Sequence, residues 1–232
     1  MSIKTSIILC TYNEAPIIEE TINEIFKHIK NVEIILIDDN SSDGTFEKVK
    51  NINNSNLKIF SRKSRGLASA LLLGLINSSG NIVGWIDSNM PSLVKKIPEM
   101  INRLNTEDIV VLSRYVSGGS DERSKLRILS SQIINLFCRI ILTSKIRDYT
   151  SGIFVMRRNV LIEVVPISYG HGEFFIEFLY NAKKKGLNIL ELPFTQPPDY
   201  KGLSKSAPNV MRFFKLGLIY CIRILSTIIR RS

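Results

Sequence analysis

The sequence predicts an α/β fold built on a mostly parallel central sheet. Apolar runs at residues 34–37 and 109–112 are continuous and not alternating, which is typical of strands buried on both faces. Segments with helical periodicity separate such runs, as in parallel sheets with crossover helices. Two runs end in carboxylates, at Asp38 and Asp87. Because ligand crevices form at the carboxyl ends of parallel strands, we expect a binding site there.

The first half of the chain alternates between strand and helix patterns. Pro16 opens the first helix, and Ile18, Ile22, Ile25 and Ile29 recur on one of its faces. The predicted strands cover residues 5–9, 32–37, 57–61, 81–86 and 109–113, and the predicted helices cover residues 16–29, 46–52, 66–76 and 94–104.

The pattern changes after Gly119. We predict a long apolar helix at 126–142, a turn and strand within 149–156, an amphipathic helix at 172–185 and a last strand at 187–192. Residues 196–208 contain three prolines, which predicts a loop. Because the chain shows no internal repeat or linker, we predict one domain at 1–208, followed by a carboxyl-terminal helix at 209–232.

The balance of charge is basic, with 31 Lys and Arg against 21 Asp and Glu and a formal net charge of +10. Such an excess suits an anionic partner, either nucleic acid or a membrane surface. The basic residues do not interleave with aromatic residues that we expect to be exposed, so we expect no nucleic acid partner. The three cysteines lie far apart, as reduced thiols do. With no signal peptide before the first strand, we expect a cytoplasmic, membrane-associated protein.

The first loop places Thr11, Tyr12, Asn13 and Glu14 together after the first strand. A hydroxyl, a ring and a carboxylate suit the stacking and hydrogen bonding of a base and ribose. The alternative is an ordinary helix amino terminus with Asn13 as its cap.

Asp38 and Asp39 end the second strand and suit a base amide or ribose hydroxyls. The alternative is turn chemistry, because Asp and Asn satisfy their own backbone in loops. That alternative explains Asp43 and Gly44 well, but it does not explain two acids at the end of an apolar strand.

Asp87, Ser88 and Asn89 end the fourth strand. Oxygen ligands at positions i and i+2 can bind a hard cation that also holds a diphosphate, as Mg²⁺ prefers. The alternative is a plain turn before Pro91.

Three arginines are candidates for phosphate contact. Arg114 follows the fifth strand directly, where bidentate hydrogen bonds can neutralise a phosphate. Arg127 and Arg139 lie on one apolar helix, and snorkelling at the helix edge is the alternative for both. Residues 148–152 form either an acceptor wall or a turn. Glu177 lies in an apolar helix, so we expect it to have a partner.

The carboxyl-terminal helix, at 211–229, is strongly apolar. At about 100° per residue, its cations Arg212, Lys215, Arg223 and Arg230 cluster on one face. This pattern predicts a helix that lies in the membrane interface with its cations toward anionic lipid. The alternative is a core helix or a homodimer contact.

Eight short motifs occur in order along residues 7–205. They are residues 11–14 (TYNE), 38–45 (DDNSSDGT), Arg62 with Gly66 and Leu67, 87–89 (DSN), 113–115 (SRY), 148–152 (DYTSG), 191–193 (ELP) and 202–205 (GLSK). In this order the chain resembles family 2 glycosyltransferases of the GT-A fold, and most closely the polyprenyl-phosphate (dolichol-phosphate) mannose synthase group.

The resemblance implies inverting transfer of mannose or glucose from a nucleotide sugar, of the GDP-mannose or UDP-glucose class, to a polyprenyl phosphate. It implies a divalent cation, Mg²⁺ or Mn²⁺, on Asp87 and Asn89, and catalytic roles for Asp87, Arg114 and Arg127. The resemblance also implies a set of residues that bind the nucleotide sugar, namely Thr11, Tyr12, Glu14, Asp38, Asp39, Gly66, Asp87, Ser88, Asn89, Arg114 and Lys205.

Three positions depart from the family pattern. Asn89 replaces an aspartate, Pro91 replaces a glutamine and Asp199 replaces an arginine. We therefore expect a weakly bound cation. The competing interpretations are a transferase of the same fold that acts on a glycan hydroxyl, favoured by a base near Asp148 or Glu177, and a sugar-nucleotide-binding protein without activity.

Overall fold

The computed structural model describes residues 4–198 and 210–229. Its strands are Thr5–Thr11 (β1), Val32–Asp38 (β2), Leu57–Ser61 (β3), Ile82–Trp85 (β4), Ile109–Ser113 (β5), Ser120–Asp121 (β6), Phe154–Arg157 (β7), Ile189–Pro193 (β8) and Thr195–Gln196 (β9). Its helices are Ile18–His28 (α1), Thr45–Lys50 (α2), Leu67–Asn77 (α3), Ile97–Arg103 (α4), Lys125–Ile141 (α5), Val160–Glu163 (α6), Phe174–Lys184 (α7) and Val210–Ile229 (α8).

Seven strands form one sheet in the order β3-β2-β1-β4-β7-β5-β8. The pairs β3–β2, β2–β1, β1–β4 and β5–β8 are parallel, whereas β7 runs antiparallel to both β4 and β5. The predicted, mostly parallel α/β sheet is therefore confirmed. Its parallel strands all end at one edge, and this edge carries the predicted site.

Hydrophobic layers cover both faces of the sheet, which explains why the strands are continuous apolar runs. On β1, Ile8 packs toward α3 and α7, and its neighbours Ile7 and Leu9 pack toward α1 and α4. Gly74 lets α3 approach β1 closely, because a Cβ atom at this position would lie 2.4 Å from Ile8 Cγ2.

Two predicted helices differ from the structure, and two short strands were not predicted. The predicted helix at 94–104 is a 3-10 segment, Pro91–Lys96, followed by α4. The predicted helix at 172–185 begins only at Phe174, after Gly170 adopts a positive φ of 106°. Strands β6 and β9, of two residues each, form a separate parallel pair. The family loop with Asp199 and Lys205 lies outside the described residues.

Helix α8 packs against α5 and α7. The prediction that Arg223 faces lipid is wrong, because this residue is only 5% exposed and its Nη1 lies 3.2 Å from Glu177 Oε2. The expected partner of Glu177 is thereby identified. The side chains of Arg212, Lys215 and Arg230 lie outside the described part of the chain. Within the described residues, none of the helices has the length and apolar character needed to cross a membrane.

Candidate active site

The carboxyl ends of β2, β1 and β4 lie side by side in the sheet, and we call the surface formed by the loops that follow them the crevice. The loops after β1 and β2 are joined directly, because the Asp39 N–H donates to the Thr11 carbonyl oxygen at 2.9 Å. The loop after β4 joins them through Ser88, whose hydroxyl donates to the Cys10 carbonyl oxygen at 3.0 Å. Three predicted motifs therefore meet at one edge of the sheet.

Asp38 forms the frame of this crevice. Its side chain is fully buried, and its Oδ2 accepts hydrogen bonds from Thr11 Oγ1 at 2.8 Å and from Ser41 Oγ at 2.5 Å. Ser88 is also buried, and its carbonyl oxygen accepts a hydrogen bond from Thr21. The side chains of Asp38, Thr11 and Ser88 therefore fix the loops and do not line the open crevice.

Asn13 does not cap the first helix, which begins five residues later at Ile18. It adopts a positive φ of 56°, and its side-chain oxygen accepts a hydrogen bond from the Ser42 N–H at 2.9 Å. Asp43 accepts hydrogen bonds from Ala15 N–H and from Thr45. These contacts bind the first two loops to each other and hold Tyr12 and Glu14 at the crevice.

Asp39 belongs to a second polar group at the crevice, with Arg62 and Gly66. Arg62 Nε donates to Asp39 Oδ1 at 2.5 Å, and the Gly66 N–H donates to Asp39 Oδ2 at 2.8 Å. Arg62 also donates to the Gly66 carbonyl oxygen. Arg62 Nη2 also donates to Asp39 Oδ2 at 3.1 Å, so the start of α3 is fixed beside Asp39 and about one lone pair of the carboxylate is left for a base or ribose.

Asp87 is the carboxylate whose charge is most strongly perturbed at the crevice. Burial, followed by the nearby charge of Glu14, raises the pKa of Asp87 from 3.8 to about 6, although Arg123 opposes this shift. A carboxylate held in such a negative environment is stabilised by a cation. Two facing acids of this kind therefore favour a positively charged ligand.

The donor atoms at this point fit a hard divalent cation only in part. Asp87 offers carboxylate oxygens and Asn89 offers an amide oxygen two residues later. In the described part of the chain, no group of three or more His, Cys, Asp or Glu side chains is arranged to hold a metal ion. The residues fit a cation that takes its remaining ligands from a diphosphate and water, as Mg²⁺ commonly does.

Arg114 is held by two carboxylates beside the crevice. Its Nε and Nη2 donate to Asp148 at 2.8 and 2.7 Å, and Nη1 lies 3.6 Å from Asp121. Asp121 also accepts bidentate hydrogen bonds from Arg123. Arg127 is half-buried in the first turn of α5. Of these arginines, Arg123 is the one whose charge acts on Asp87, whereas Arg114 is buried and already paired.

Two arginines near the crevice were not predicted as site residues. The guanidinium carbon of Arg65 lies 3.5 Å from the ring centroid of Tyr12, in a cation–π stack. Arg123 is close enough to Asp87 to affect its pKa. Arg65 directly precedes Gly66, and Arg123 pairs with Asp121 beside Arg114. A positive charge close to other candidate residues was therefore the signal in the sequence that could have identified them.

The chain matches the family described as Glycosyl transferase family 2 over residues 6–165. A dolichol-phosphate mannosyltransferase of Pyrococcus furiosus is 33% identical over 212 residues, which cover 87% of this chain and 59% of the relative. A polyprenol monophosphomannose synthase of Mycolicibacterium smegmatis is 24% identical over 220 residues, which cover 90% of this chain and 83% of the relative. A dolichol-phosphate mannosyltransferase of Saccharomyces cerevisiae is 27% identical over 227 residues, with coverages of 91% and 84%.

Solved structures share the fold. Glucosyl-3-phosphoglycerate synthase from Mycobacterium tuberculosis in complex with UDP has a TM-score of 0.74 and 20% identity, covering 100% of this chain and 82% of that one. Its complex with Mn²⁺, UDP and glucosyl-3-phosphoglycerate gives a TM-score of 0.74, 21% identity and the same coverages. At this identity the likeness shows the GT-A fold. Because the family match spans more than half of the 232 residues, this chain belongs to glycosyl transferase family 2.

Proposed function

We propose that this protein transfers a sugar from a nucleotide sugar to a polyprenyl phosphate at an anionic membrane surface, with inversion at the anomeric carbon. One observation carries the acceptor assignment. Helix α5 begins among arginines beside the crevice and continues as an exposed apolar surface. A phosphate at its start and a hydrocarbon chain along it would match an amphiphilic acceptor. The names of the curated relatives support the same acceptor class.

The exposed apolar surface of α5 has heptad spacing. Its members are Leu126, Leu129, Ile133, Leu136 and Ile140, each more than 50% exposed. Helix α8 packs beside α5 and adds a second exposed set, formed by Leu218, Ile222, Leu225 and Ile229.

The charge around this surface selects an anionic partner. Residues 123–147 contain six Lys and Arg and no Asp or Glu. An apolar surface flanked by cations is typical of a helix seated in an anionic bilayer. We therefore propose that α5 shares with α8 the membrane contact that the sequence assigned to the last helix.

The donor would bind at the ends of β1, β2 and β4. In this proposal, Tyr12 and Asp39 contact the base and ribose, and Asp87 with Asn89 faces the diphosphate. Glu14 keeps the environment of Asp87 negative. A divalent cation bound there would neutralise charge on the departing nucleoside diphosphate. The family pattern also assigns Lys205 to the donor, outside the described residues.

A phosphate acceptor needs little general base catalysis, because it is already anionic near neutral pH. The chain then has to orient the acceptor oxygen and neutralise charge, which Arg114, Arg123 and Arg127 can support. The two carboxylates that a hydroxyl acceptor would need are otherwise engaged. Asp148 is fully buried against Arg114, and Glu177 is paired with Arg223. These pairs weigh against a glycan hydroxyl acceptor.

The deciding experiment pairs labelled GDP-mannose and UDP-glucose with polyprenyl phosphate, a glycan acceptor and 3-phosphoglycerate. We expect label in the organic phase with polyprenyl phosphate and Mn²⁺ or Mg²⁺. If label appears only in a water-soluble product, the acceptor is the glycan or 3-phosphoglycerate and the proposed lipid acceptor is wrong. Nucleotide binding without any transfer would favour a binding protein without activity.

Membrane contact is tested by co-sedimentation with phosphatidylcholine vesicles that contain or lack phosphatidylglycerol. The double variant Leu129→Glu with Ile133→Glu should lose most binding to the anionic vesicles. Ile162→Glu changes a side chain that is 85% exposed on α6 and serves as the matched control. Equal sedimentation of all three proteins would refute the contact through α5.

A further inference from the structure

Segment 169–173 contacts the candidate nucleobase end of the crevice. The Gly170 carbonyl oxygen accepts a hydrogen bond from the Ala68 N–H at 3.3 Å, in the first turn of α3. Burial, and to a lesser degree the charge of Arg65, lowers the pKa of His171, against the effect of Glu173. Arg65 is the residue that stacks on Tyr12. The segment is therefore hydrogen-bonded to the first turn of α3, close to the position of Arg65 in the chain.

The opposite side of the same segment contacts α8. The guanidinium carbon of Arg223 lies 4.4 Å from the ring centroid of Tyr169. Tyr220 fills the space beside Gly172, where an added Cβ atom would lie 2.4 Å from the tyrosine hydroxyl. Helix α8 therefore holds both ends of the segment.

The buried ion pair of Arg223 with Glu177 fixes the rotation of α8. Both side chains are about 5% exposed, and the closest nitrogen–oxygen distance is 3.2 Å. Burying two charges is costly in an otherwise apolar contact, where apolar residues would pack at least as stably. Arg223 Nε has no hydrogen-bond partner among the described residues, which adds to this cost. Because stability does not explain the pair, we expect its role to be geometric, in that its polar atoms meet in one arrangement of α8 on α7.

We propose that Arg223 is a positioning residue for nucleotide-sugar binding. Through Tyr169 and Glu177 it holds segment 169–173 against the first turn of α3, and thereby shapes the nucleobase end of the crevice, where Arg65 stacks on Tyr12. The inference rests on the proposed function, because it assumes that a nucleotide binds at Tyr12 and Asp39. Helix α8 also carries part of the exposed apolar surface that we propose for membrane contact. The same helix therefore contacts both the proposed membrane surface and segment 169–173.

The first test removes the charge and keeps the volume. For Arg223→Met we expect the Kd of GDP or UDP with Mn²⁺, and the KM for the sugar donor, to rise about fivefold or more, with kcat at saturating donor retained. Arg223→Lys keeps a cation beside Glu177 and should stay within about twofold of the wild type. A general loss of stability would not separate KM from kcat in this way.

The matched control is Arg158→Met. Arg158 donates to the Gly80 carbonyl oxygen and to Ser78 Oγ, at the edge of the sheet opposite the crevice. We expect this variant to unfold at a lower temperature with unchanged nucleotide affinity. Equal weakening of nucleotide binding in the two Arg→Met variants would overturn the inference.

A steric variant tests the same contact without changing a charge. Gly172→Ala should push segment 169–173 away from Tyr220 and weaken nucleotide binding. Tyr220→Phe removes the hydroxyl and leaves the ring carbon 3.7 Å from the new methyl group, so the double variant should recover affinity. If the wild type binds nucleotide and both Arg223→Met and Gly172→Ala bind it as tightly as the wild type does, the inference is wrong while the proposed function stands. If the wild type binds no nucleotide, the proposed function fails with it.

Discussion

Replacing Asp87 by Asn should make the protein more stable and inactive at the same time. Burial and Glu14 raise the pKa of Asp87 from 3.8 to about 6, so the charged carboxylate is disfavoured in the folded state. A pKa that is higher by about 2 makes the charged form less favourable by about 3 kcal/mol, since each factor of ten in the proton affinity corresponds to about 1.4 kcal/mol. Partial exposure of the side chain at the crevice reduces this figure through solvent screening, and we expect about 2 kcal/mol.

The pH dependence has a definite sign. An acid whose pKa is higher in the folded state binds more protons there, so the stability it contributes is lost as the pH rises from about 4 to about 6. Asp87→Asn should therefore match the wild type near pH 4 and exceed it at pH 7.5. The expected gain in Tm at pH 7.5 is about 4–8 °C.

The assay is thermal unfolding at both pH values, in chelator and without nucleotide, together with sugar transfer at pH 7.5. Glu122→Gln changes an exposed carboxylate and should show no such pH-dependent gain. Transfer by Asp87→Asn should fall by at least about a hundredfold, because the charge facing the diphosphate is gone. A variant that is no more stable than the wild type at pH 7.5, or that retains most of its turnover, would refute the environment or the role that we assign to Asp87.

Three further predictions concern neighbouring features. Asn89→Asp restores an anionic ligand and should tighten Mn²⁺ in a titration with nucleoside diphosphate; unchanged affinity would mean that Asn89 is not a ligand. Arg114→Met leaves Asp148 charged and buried, which should lower the free energy of unfolding by about 3–5 kcal/mol in urea. Adding Asp148→Asn should recover a large part of this loss, and simple additivity of the two changes would contradict the buried pair. Gly74→Ala should cost about 1–2 kcal/mol, since the clash with Ile8 outweighs the better helix propensity of Ala; a more stable variant would mean that α3 can move away from β1.

The sequence was most informative where one physical cause dominates. Continuous apolar runs predict buried strands, and polar residues directly after them mark the edge at which a crevice forms. The run at β7 illustrates the limit of this reasoning. A strand buried on both faces has the same pattern in either direction, so the sequence did not reveal that Phe154–Arg157 runs antiparallel. Strands β6 and β9 are too short to show any period.

Contacts between distant residues account for the other differences. A helical projection of 211–229 groups Arg223 with the other cations, because it contains no information about α7. Glu177 lies 46 residues earlier and pairs with Arg223 only in the folded chain. The stack of Arg65 on Tyr12 joins two loops that the sequence does not connect. The roles of such side chains depend on tertiary contacts, whereas the strands and their terminal acids depend on local pattern.

The antiparallel strand β7 separates the two parallel parts of the sheet, β3-β2-β1-β4 and β5-β8. The strands β1, β2 and β4, which precede the proposed contacts to base, ribose and diphosphate, lie on one side of it, and β5, which precedes Arg114, lies on the other. The two parts can therefore diverge separately. One side can keep its nucleotide chemistry while the other changes its acceptor. Exchanging segments beyond β7 is thus a rational route to new acceptors on an unchanged donor site.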